Sequence, residues 1–331
     1  MRKSFVAVAI AVALCLAASV AQAGENLQIG AMPLGSIWYV FAASFAKALQ
    51  PALPAGSNIE VIARGGGIGN PVVVNEGKAQ LAIANTSTSN WAWNGEQEVY
   101  KGKKHQNIRG LLGGLNEVWF GVLLTEEYIK RTGNDTLEKA LLGDKPPRII
   151  MKPAGSTVPV VARWVLEGIG TSFDKVKAKG GSLTQVDVSQ IPQLMRDGRA
   201  DLYFESPSPG HPATTEVSLT VDVRFLDVPE KSLQLLAKNG LKIWPMPQFF
   251  KGQKGPVKSV DFGTNLIAHK DLSDDLAYRI TKAICENRDA LVAEHKAMSG
   301  FVAKDAGKPE NVGIPLHPGS IKYYTEKGWV H

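Results

Sequence analysis

The sequence predicts an α/β protein of two related lobes, each a doubly wound sheet flanked by helices, with a ligand cleft between the lobes. One observation behind this prediction is a strand, a Pro-x-Gly-Ser turn and a helical segment that occur twice. Another is a Gly-basic-Ala-x-Leu segment that recurs at nearly the same displacement. Because repeated units of alternating strands and helices build parallel sheets, the two copies predict two sheets of one kind.

The first match pairs residues 29–36, Ile-Gly-Ala-Met-Pro-Leu-Gly-Ser, with residues 149–156, Ile-Ile-Met-Lys-Pro-Ala-Gly-Ser. Apolar residues at spacings of three and four follow each turn, which predicts an amphipathic helix. The second match pairs residues 77–81 with residues 198–202, where a glycine ends a helix and an apolar strand follows. Two matches in the same order, displaced by 120 and 121 positions, favour a duplication over chance.

Each copy therefore reads strand, helix, strand, helix, strand. The expected strands are 27–32, 59–63 and 81–85 in the first copy, and 148–152, a stretch near 176–188, and 201–205 in the second. Apolar stretches in 111–124 and 261–268 are expected to cross between the lobes, and 273–295 predicts one amphipathic helix. The expected organisation is lobe I over 24–119 plus 262–331 and lobe II over 120–261.

The first 23 residues predict an exported protein. Arg2 and Lys3 precede an apolar run over 5–20, and the tripeptide Ala-Gln-Ala at 21–23 has the small-x-small pattern of a signal peptidase site. A membrane anchor is the alternative, but the run is shorter than the ~20 apolar residues that span a bilayer. We therefore expect cleavage after Ala23 and a periplasmic protein.

Charge and motifs argue against several other classes. The densest lysine cluster, at 101, 103 and 104, has no interleaved aromatic residues, so no nucleic-acid partner is expected. Removal of the signal peptide leaves Cys285 as the single cysteine, and no internal disulfide can form. The sequence contains no His-x-x-x-His, Cys-x-x-Cys or Gly-x-Ser-x-Gly motif. We therefore expect a binding protein without metal or cofactor, and not an enzyme.

The two Pro-x-Gly-Ser turns are the first candidate site. Ligands of open α/β sheets bind beyond the carboxyl ends of the strands, where these turns are expected. The first N–H groups of a helix lack intrahelical partners and carry partial positive charge, which favours an anion. Ser36 and Ser156 serve either as N-caps or as ligand donors. Opposed turns in two lobes predict a site for one small anionic solute.

Two further segments lie at the same predicted edge. The glycine-rich stretch 64–70 follows the second strand and can present backbone N–H groups, although a plain turn is the alternative. Its spacing fits neither a dinucleotide fingerprint nor a P-loop. Glu205 directly follows an apolar strand, and it either accepts a hydrogen bond from a ligand ammonium or hydroxyl group or pairs with a neighbouring residue. Trp38 and Tyr39 line the pocket or belong to the core.

Three blocks of the sequence resemble the TAXI proteins, the TRAP-associated extracytoplasmic solute receptors. They are Gly-Ser-Ile-Trp-Tyr at 35–39, the glycine-rich stretch with its following helix and strand at 65–81, and His-Pro-Gly-Ser-Ile-Lys-Tyr-Tyr-Thr-Glu-Lys-Gly at 317–328. The resemblance covers nearly the whole mature chain. Val40 departs from the pattern, because many members have proline after the aromatic pair.

The resemblance implies the two-lobed fold of type II periplasmic binding proteins. It also implies a receptor that delivers a small-molecule solute to TRAP-type membrane permease subunits, which are often fused. Ligands within that family include glutamate, glutamine and C4–C5 dicarboxylates such as 2-oxoglutarate. A receptor for an ABC importer or a sensor kinase with the same fold is the alternative. We expect a monomer.

The ligand-binding residues are predicted from two sources. The family motifs imply Gly35, Ser36, Trp38, Tyr39, Gly65, Gly66, Gly67 and Asn85. The repeat and the crossovers add Thr86, Ser156, Thr157, Glu205, Ser206 and Thr264.

Overall fold

The structure is a computed structural model that describes residues 24–34, 36–63 and 65–329. The predicted signal peptide, the cleavage point after Ala23 and the candidate Gly35 lie outside the described residues. Two five-stranded sheets flanked by helices form two lobes, which confirms the predicted fold class. No helix of the described ranges is long and apolar enough to cross a membrane.

The first sheet, in lobe I, has the strand order β2-β1-β3-β12-β4. Its strands are β1 (Asn26–Gly30), β2 (Asn58–Ile62), β3 (Leu81–Ala84), β4 (Ile108–Leu112) and β12 (Asn265–His269). The helices around it are α1 (Ile37–Leu49), α2 (Gly69–Asn75), α3 (Thr86–Asn94), α4 (Gln97–Tyr100), α12 (Asp274–Glu286), α13 (Arg288–Glu294), α14 (Pro309–Val312) and α15 (Pro318–Glu326).

The second sheet, in lobe II, has the order β7-β6-β8-β5-β9. Its strands are β5 (Gly121–Thr125), β6 (Arg148–Met151), β7 (Ser182–Gln185), β8 (Leu202–Glu205) and β9 (Val223–Phe225). The helices are α5 (Glu126–Thr132), α6 (Leu137–Leu142), α7 (Val158–Ile169), α8 (Phe173–Ala178), α9 (Ile191–Arg196), α10 (Pro212–Thr220) and α11 (Glu230–Lys238). A short antiparallel pair, β10 (Lys242–Ile243) and β11 (Val260–Asp261), lies beside it.

The two sheets have the same topology. In each, the first strand of the repeat lies between the second and the third, and the three strands are parallel. In each, the fourth position is taken by a strand that follows a crossover between the lobes and runs antiparallel to the third strand. The carboxyl ends of the repeated strands therefore face the space between the lobes, where the two crossovers, 113–120 and 262–264, connect them.

One element differs from the prediction, and another occupies only part of its predicted range. The single amphipathic helix expected over 273–295 is two helices, α12 and α13, because the backbone of Asn287 leaves the helical conformation and its side chain donates to the Ala283 carbonyl. Local bonding of this kind is how asparagine competes with a helix. The stretch near 176–188 contributes a strand at Ser182–Gln185, preceded by α8 with its N-cap at Ser172.

Apolar packing holds each lobe together and also joins them. Helices α1 and α12 pack on the lobe I sheet through fully buried side chains such as Phe41 and Ile280. Phe120 and Phe204 stack within lobe II at 5.5 Å between ring centroids. A further cluster contains buried residues of both lobes, among them Trp91 and Trp164. The lobes are therefore in contact, and the cleft between them is closed.

Candidate functional site

A small cavity of about 30 Å³ lies between the lobes at the carboxyl ends of the repeated strands. This is the edge at which ligands bind in open α/β sheets. The residues that line it are Met32, Ser36, Ile37, Trp38, Gly67, Asn85, Val118, Lys152, Ser156, Thr157, Ser206, Ser208 and His211. A space of this size has room for one small polar group, such as a carboxylate, in the closed form.

The lobe I wall is formed by the start of α1. Ser36 is the N-cap of this helix, and its Oγ accepts a hydrogen bond from the Tyr39 backbone N–H at 3.2 Å. The hydroxyl proton of Ser36 is not used in that bond, so the same side chain can also donate to a ligand. Trp38 is buried and closes this side of the cavity.

The glycine-rich loop is held by Asn70. This side chain donates to the carbonyls of Ala31 and Ile83, at the ends of β1 and β3, and accepts from the Gly66 N–H. The loop then meets lobe II directly, because the Ile68 N–H donates to the Gly155 carbonyl at 3.2 Å. The loop thus connects the ends of two lobe I strands to the second Pro-x-Gly-Ser turn.

Two glycines of this loop allow the close contact. A Cβ atom on Gly66 would lie 2.8 Å from the Gly155 carbonyl oxygen. A Cβ atom on Gly67 would overlap Thr157 Oγ1 and lie 2.6 Å from Asn85 Oδ1. Any larger residue would push the lobes apart, so the glycines serve the closed arrangement.

Asn85 and Thr157 join the lobes at the cavity. The Thr157 hydroxyl donates to Asn85 Oδ1 at 2.7 Å, and both residues are buried. The Asn85 amide donates in turn to the carbonyl of Gly263, in the second crossover, at 3.0 Å. Ser156 uses its own hydroxyl to donate to the Pro153 carbonyl at 3.0 Å. One hydrogen-bonded chain therefore links lobe II, lobe I and a crossover.

The lobe II wall contains a buried ion pair between Lys152, at the end of β6, and Glu205, at the end of β8. Both side chains are buried, and Glu205 has no exposed surface. The Lys152 ammonium also donates to Ser206 Oγ at 2.9 Å. Glu205 accepts further bonds from the Tyr203 hydroxyl and the Ser206 N–H.

The ion pair controls the charge of this wall. Burial alone would raise the pKa of Glu205, but the Lys152 ammonium and the hydrogen bonds outweigh that effect and lower it. Glu205 is therefore an anion at neutral pH. Because its oxygens are occupied by protein donors, the cavity is lined by Lys152 and not by the carboxylate.

Ser208 and His211 supply two more polar groups. Burial, with the nearby Lys152 ammonium, lowers the pKa of His211 to about 4, although Glu205 opposes the shift. His211 is therefore neutral at pH 7, and its Nδ1 accepts from the Thr214 N–H at 3.3 Å, which leaves the proton on Nε2. Ser208 Oγ is buried and has no hydrogen-bond partner among the described residues. Both groups can donate to an anion.

Seven of the predicted residues line the cavity: Ser36, Trp38, Gly67, Asn85, Ser156, Thr157 and Ser206. Six others do not: Tyr39, Gly65, Gly66, Thr86, Glu205 and Thr264. Thr86 donates instead to the Asn311 carbonyl on the far side of the crossovers, and Thr264 is fully buried within the second crossover. Of the two interpretations of Glu205, the structure shows the pairing with a neighbouring residue.

Sequence reasoning missed Lys152, Ser208 and His211. The signal for Lys152 was present, because a lysine that ends an apolar strand beside a Pro-x-Gly-Ser turn has to be paired when buried. Ser208 and His211 lie in the irregular segment after β8, where no repeat or periodicity marks them. Met32, Ile37 and Val118 add apolar walls.

A second set of contacts joins the lobes away from the cavity. The Trp164 indole N–H on α7 donates to Glu98 on α4 at 2.8 Å, and Arg163 pairs with the same carboxylate at 3.1 Å. The rings of Trp91 and Trp164 meet edge to face with centroids 5.2 Å apart. Trp91 also donates to the Asn239 carbonyl in lobe II at 2.8 Å. These contacts exist only while the lobes are together.

Comparison with known proteins gives a family match. The sequence profile of the NMT1-like family matches residues 29–328.

Comparison with solved structures gives matches of low sequence identity. A protein described as a periplasmic transporter is 11% identical, with 93% of this chain and 95% of that chain covered, at a TM-score of 0.52. A protein from Bordetella bronchiseptica RB50 is 13% identical, with coverage of 93% and 90% and a TM-score of 0.49. The periplasmic aliphatic sulphonate binding protein SsuA from Escherichia coli is 14% identical, with coverage of 92% and 79% and a TM-score of 0.45. The match to the periplasmic transporter shows that the two chains share a fold.

Proposed function

The chain belongs to the NMT1-like family, and from this premise we propose that it is a periplasmic solute receptor that captures a small anionic organic solute by closure of its two lobes. The observation that carries the proposal is the cavity between the lobes, where Lys152 and several hydroxyl groups converge. Such a receptor gains contacts in the closed state that the open state lacks, so its solute shifts the equilibrium toward closure.

The donors at the cavity support an anionic group in the solute. Lys152, Ser206, Ser208 and the Nε2 proton of His211 come from lobe II, while the Ser36 hydroxyl comes from lobe I. The charge of Lys152 is balanced by Glu205, whose role in the proposal is to hold the ammonium in place. A carboxylate would receive hydrogen bonds from both lobes, and charge-assisted bonds of this kind are the stronger ones.

The size of the cavity restricts how the solute fits. About 30 Å³ accommodates one carboxylate group. The rest of a glutamate, glutamine or C4–C5 dicarboxylate molecule requires lobes that stand further apart than they do here. We infer that the solute-bound form lies between this closed arrangement and an open one.

The delivery partner in this proposal is a TRAP-type membrane permease, as the three TAXI-like sequence blocks suggest. Uptake by purified receptor and permease in liposomes would then be driven by an ion gradient. Uptake that requires ATP hydrolysis would instead assign the receptor to an ABC importer. Chemical conversion of the bound solute would contradict a pure receptor.

A thermal-shift screen of amino acids, keto acids and dicarboxylates on the mature chain tests the solute class. A solute at about 100 times its dissociation constant adds about 2.7 kcal/mol to the free energy of unfolding, and we expect at least one carboxylate to do so. Stabilisation only by neutral or cationic solutes would contradict the anionic class. Lys152→Met should abolish the shift, and Lys139→Met, at an exposed lysine of α6, should keep it.

A further inference from the structure

A second and larger opening lies on the other side of the crossovers, with a volume of about 1150 Å³. We call it the hinge groove. Lobe I contributes Trp93 on α3 together with the C-terminal residues Val302 and Ile321. Lobe II contributes Lys242 and Trp244. The groove is therefore formed by both lobes, as the ligand cavity is.

The crossovers separate the hinge groove from the ligand cavity. Val118 of the first crossover lines the cavity, whereas its neighbour Glu117 lines the groove. Asp261 and Gly263, at the second crossover, also line the groove. A rotation about the crossovers that opens the cavity must therefore narrow the groove. An occupant of the groove would oppose that rotation and favour the closed cavity.

The charge of the groove is negative, although the whole chain carries a formal net charge of +6. Its ionisable lining residues are Glu117, Lys242, Asp261, Asp305 and Glu310. Asp305 pairs with Lys308 at 2.9 Å. The half-buried Glu117 carboxylate has no ion pair or hydrogen bond among the residues that the structure describes. Glu117 is thus a carboxylate that is available to a cation.

The aromatic walls of the groove already contact cations. The Lys242 ammonium lies 4.1 Å from the centroid of Trp244, and the Arg109 guanidinium lies 5.0 Å from that of Trp93. Trp244 is 43% exposed, which leaves indole surface open to the groove. Indole faces attract cations through the ring quadrupole and bury apolar surface at the same time.

Two buried polar groups at the groove wall also lack partners. Ser87 Oγ and Asn116 Oδ1 have no hydrogen bond among the described residues, although both side chains are at least nine-tenths buried. Buried polar atoms are normally paired, so each exception calls for a ligand or water. Both atoms can accept a hydrogen bond from an N–H donor.

We propose that the hinge groove is a second binding site, for a small organic cation that combines an ammonium group with an apolar or aromatic body. Glu117 binds the ammonium group, and Trp93 and Trp244 bind the apolar body. Because a rotation that opens the cavity narrows the groove, binding of the cation favours the closed lobes.

Calorimetric titration of the mature chain with tryptamine, and with its uncharged analogue tryptophol, tests the site. We expect tryptamine to bind about tenfold more tightly than tryptophol, which corresponds to about 1.4 kcal/mol. Glu117→Gln should reduce that preference to about threefold or less. The matched control is Asp174→Asn, at an exposed carboxylate of α8 outside the groove, and it should keep the preference.

The coupling to closure is tested with a variant far from the groove. Gly67→Ala disfavours the closed lobes, so it should weaken tryptamine binding about threefold or more. Gly69→Ala is the control and should leave tryptamine binding unchanged, because a Cβ atom at this position meets nothing within 4 Å. Equal affinity for tryptamine and tryptophol, no binding of either, or a preference unchanged by Glu117→Gln would overturn the site. Equal tryptamine affinity in the two glycine variants would overturn the coupling.

Discussion

Lys152 and Glu205 form the most constrained pair of side chains at the site. Lys152 is 5% exposed and Glu205 has no exposed surface, and each has hydrogen-bond partners that depend on its charge. A buried ion pair of this kind is weak evidence for net stability, because both charges lose their hydration. The role of the pair is to position a charge, because Glu205 holds the Lys152 ammonium at the cavity.

Replacing Lys152 by methionine should cost about 3–5 kcal/mol of unfolding free energy at pH 7, because the Glu205 carboxylate is left buried without its counter-charge. The pKa of Glu205 is lower in the native protein than in the unfolded chain. The ion pair therefore contributes its full stabilisation at pH values above the carboxyl pKa of the unfolded chain. This contribution is lost as the pH falls through the lower native pKa. Urea titrations should therefore show the variant and the native protein converging at acid pH.

The double variant Lys152→Met, Glu205→Gln removes both charges and serves as the control. Most of the lost stability should return, because no uncompensated charge is left in the interior. A double variant as unstable as the single one would show that Lys152 acts through packing, and not through its charge.

The individual site residues were the part of the molecule that the sequence could predict least. The repeat predicted that Ser36 and Ser156 lie at a shared edge, because equivalent turns follow equivalent strands, and both residues line the cavity. The sequence marks Lys152 as a lysine at the end of an apolar strand, but it does not identify its partner, a carboxylate that lies 53 positions away along the chain. Pairings of that kind are set by the three-dimensional arrangement of β6 and β8.

The glycine-rich loop shows how one short segment serves lobe closure. Asn70 anchors it to two strands, and Gly66 and Gly67 let the lobe II turn approach its backbone. The loop resembles an anion-binding loop in sequence, but in this closed form its glycines accommodate protein atoms.

Gly67→Ala should lower solute affinity about tenfold or more, which corresponds to destabilising the closed state by about 1.4 kcal/mol relative to the open state. The added methyl group meets Thr157 Oγ1, an atom of the opposite lobe, only when the lobes are together. Solute titration by calorimetry measures the effect, and urea unfolding of the solute-free protein should change little. Gly69→Ala is the matched control in the same loop, and a similar loss of affinity there would contradict the closure argument.

Strands and helices were largely predictable, because their periodicity and turns are local properties. The six repeated strands form within or close to their expected ranges, and the two sheets share one strand order. The break between α12 and α13 was not predictable from apolar spacing, which continues across Asn287. At that boundary the backbone of Asn287 leaves the helical conformation, and its side chain donates to the Ala283 carbonyl.

The connection between the lobes depends on one half-buried carboxylate. Asp261 Oδ1 accepts hydrogen bonds from the Val118 N–H at 2.8 Å and the Gly263 N–H at 2.9 Å, so it ties the two crossovers together. Burial raises the pKa of Asp261 to about 6, with a contribution from Glu117, against the opposing effects of those hydrogen bonds and Lys242.

Because of Asp261, the free energy of unfolding should decrease as the pH rises from about 4 to about 6. The native pKa of Asp261 exceeds the value of ~3.9 in the unfolded chain, so the carboxyl group ionises first in the unfolded chain as the pH rises. This ionisation favours unfolding, and the decrease in the free energy of unfolding is complete above the native pKa. Asp261→Asn keeps an acceptor for both N–H groups. The variant should not show this pH-dependent decrease in the free energy of unfolding, which is on the order of 3 kcal/mol. Urea titrations at several pH values measure this difference, and parallel profiles for the two proteins would contradict it.

The tryptophans of the two lobes give the protein an internal optical reporter. Trp91 and Trp164 lie edge to face, at an interplanar angle of 87°, and the two indoles belong to different lobes. Neighbouring indoles in a fixed chiral arrangement couple their electronic transitions, and that coupling disappears when the rings separate. The near-ultraviolet circular dichroism of the unlabelled protein should therefore follow opening and closing directly, and it would do so before any solute has been identified.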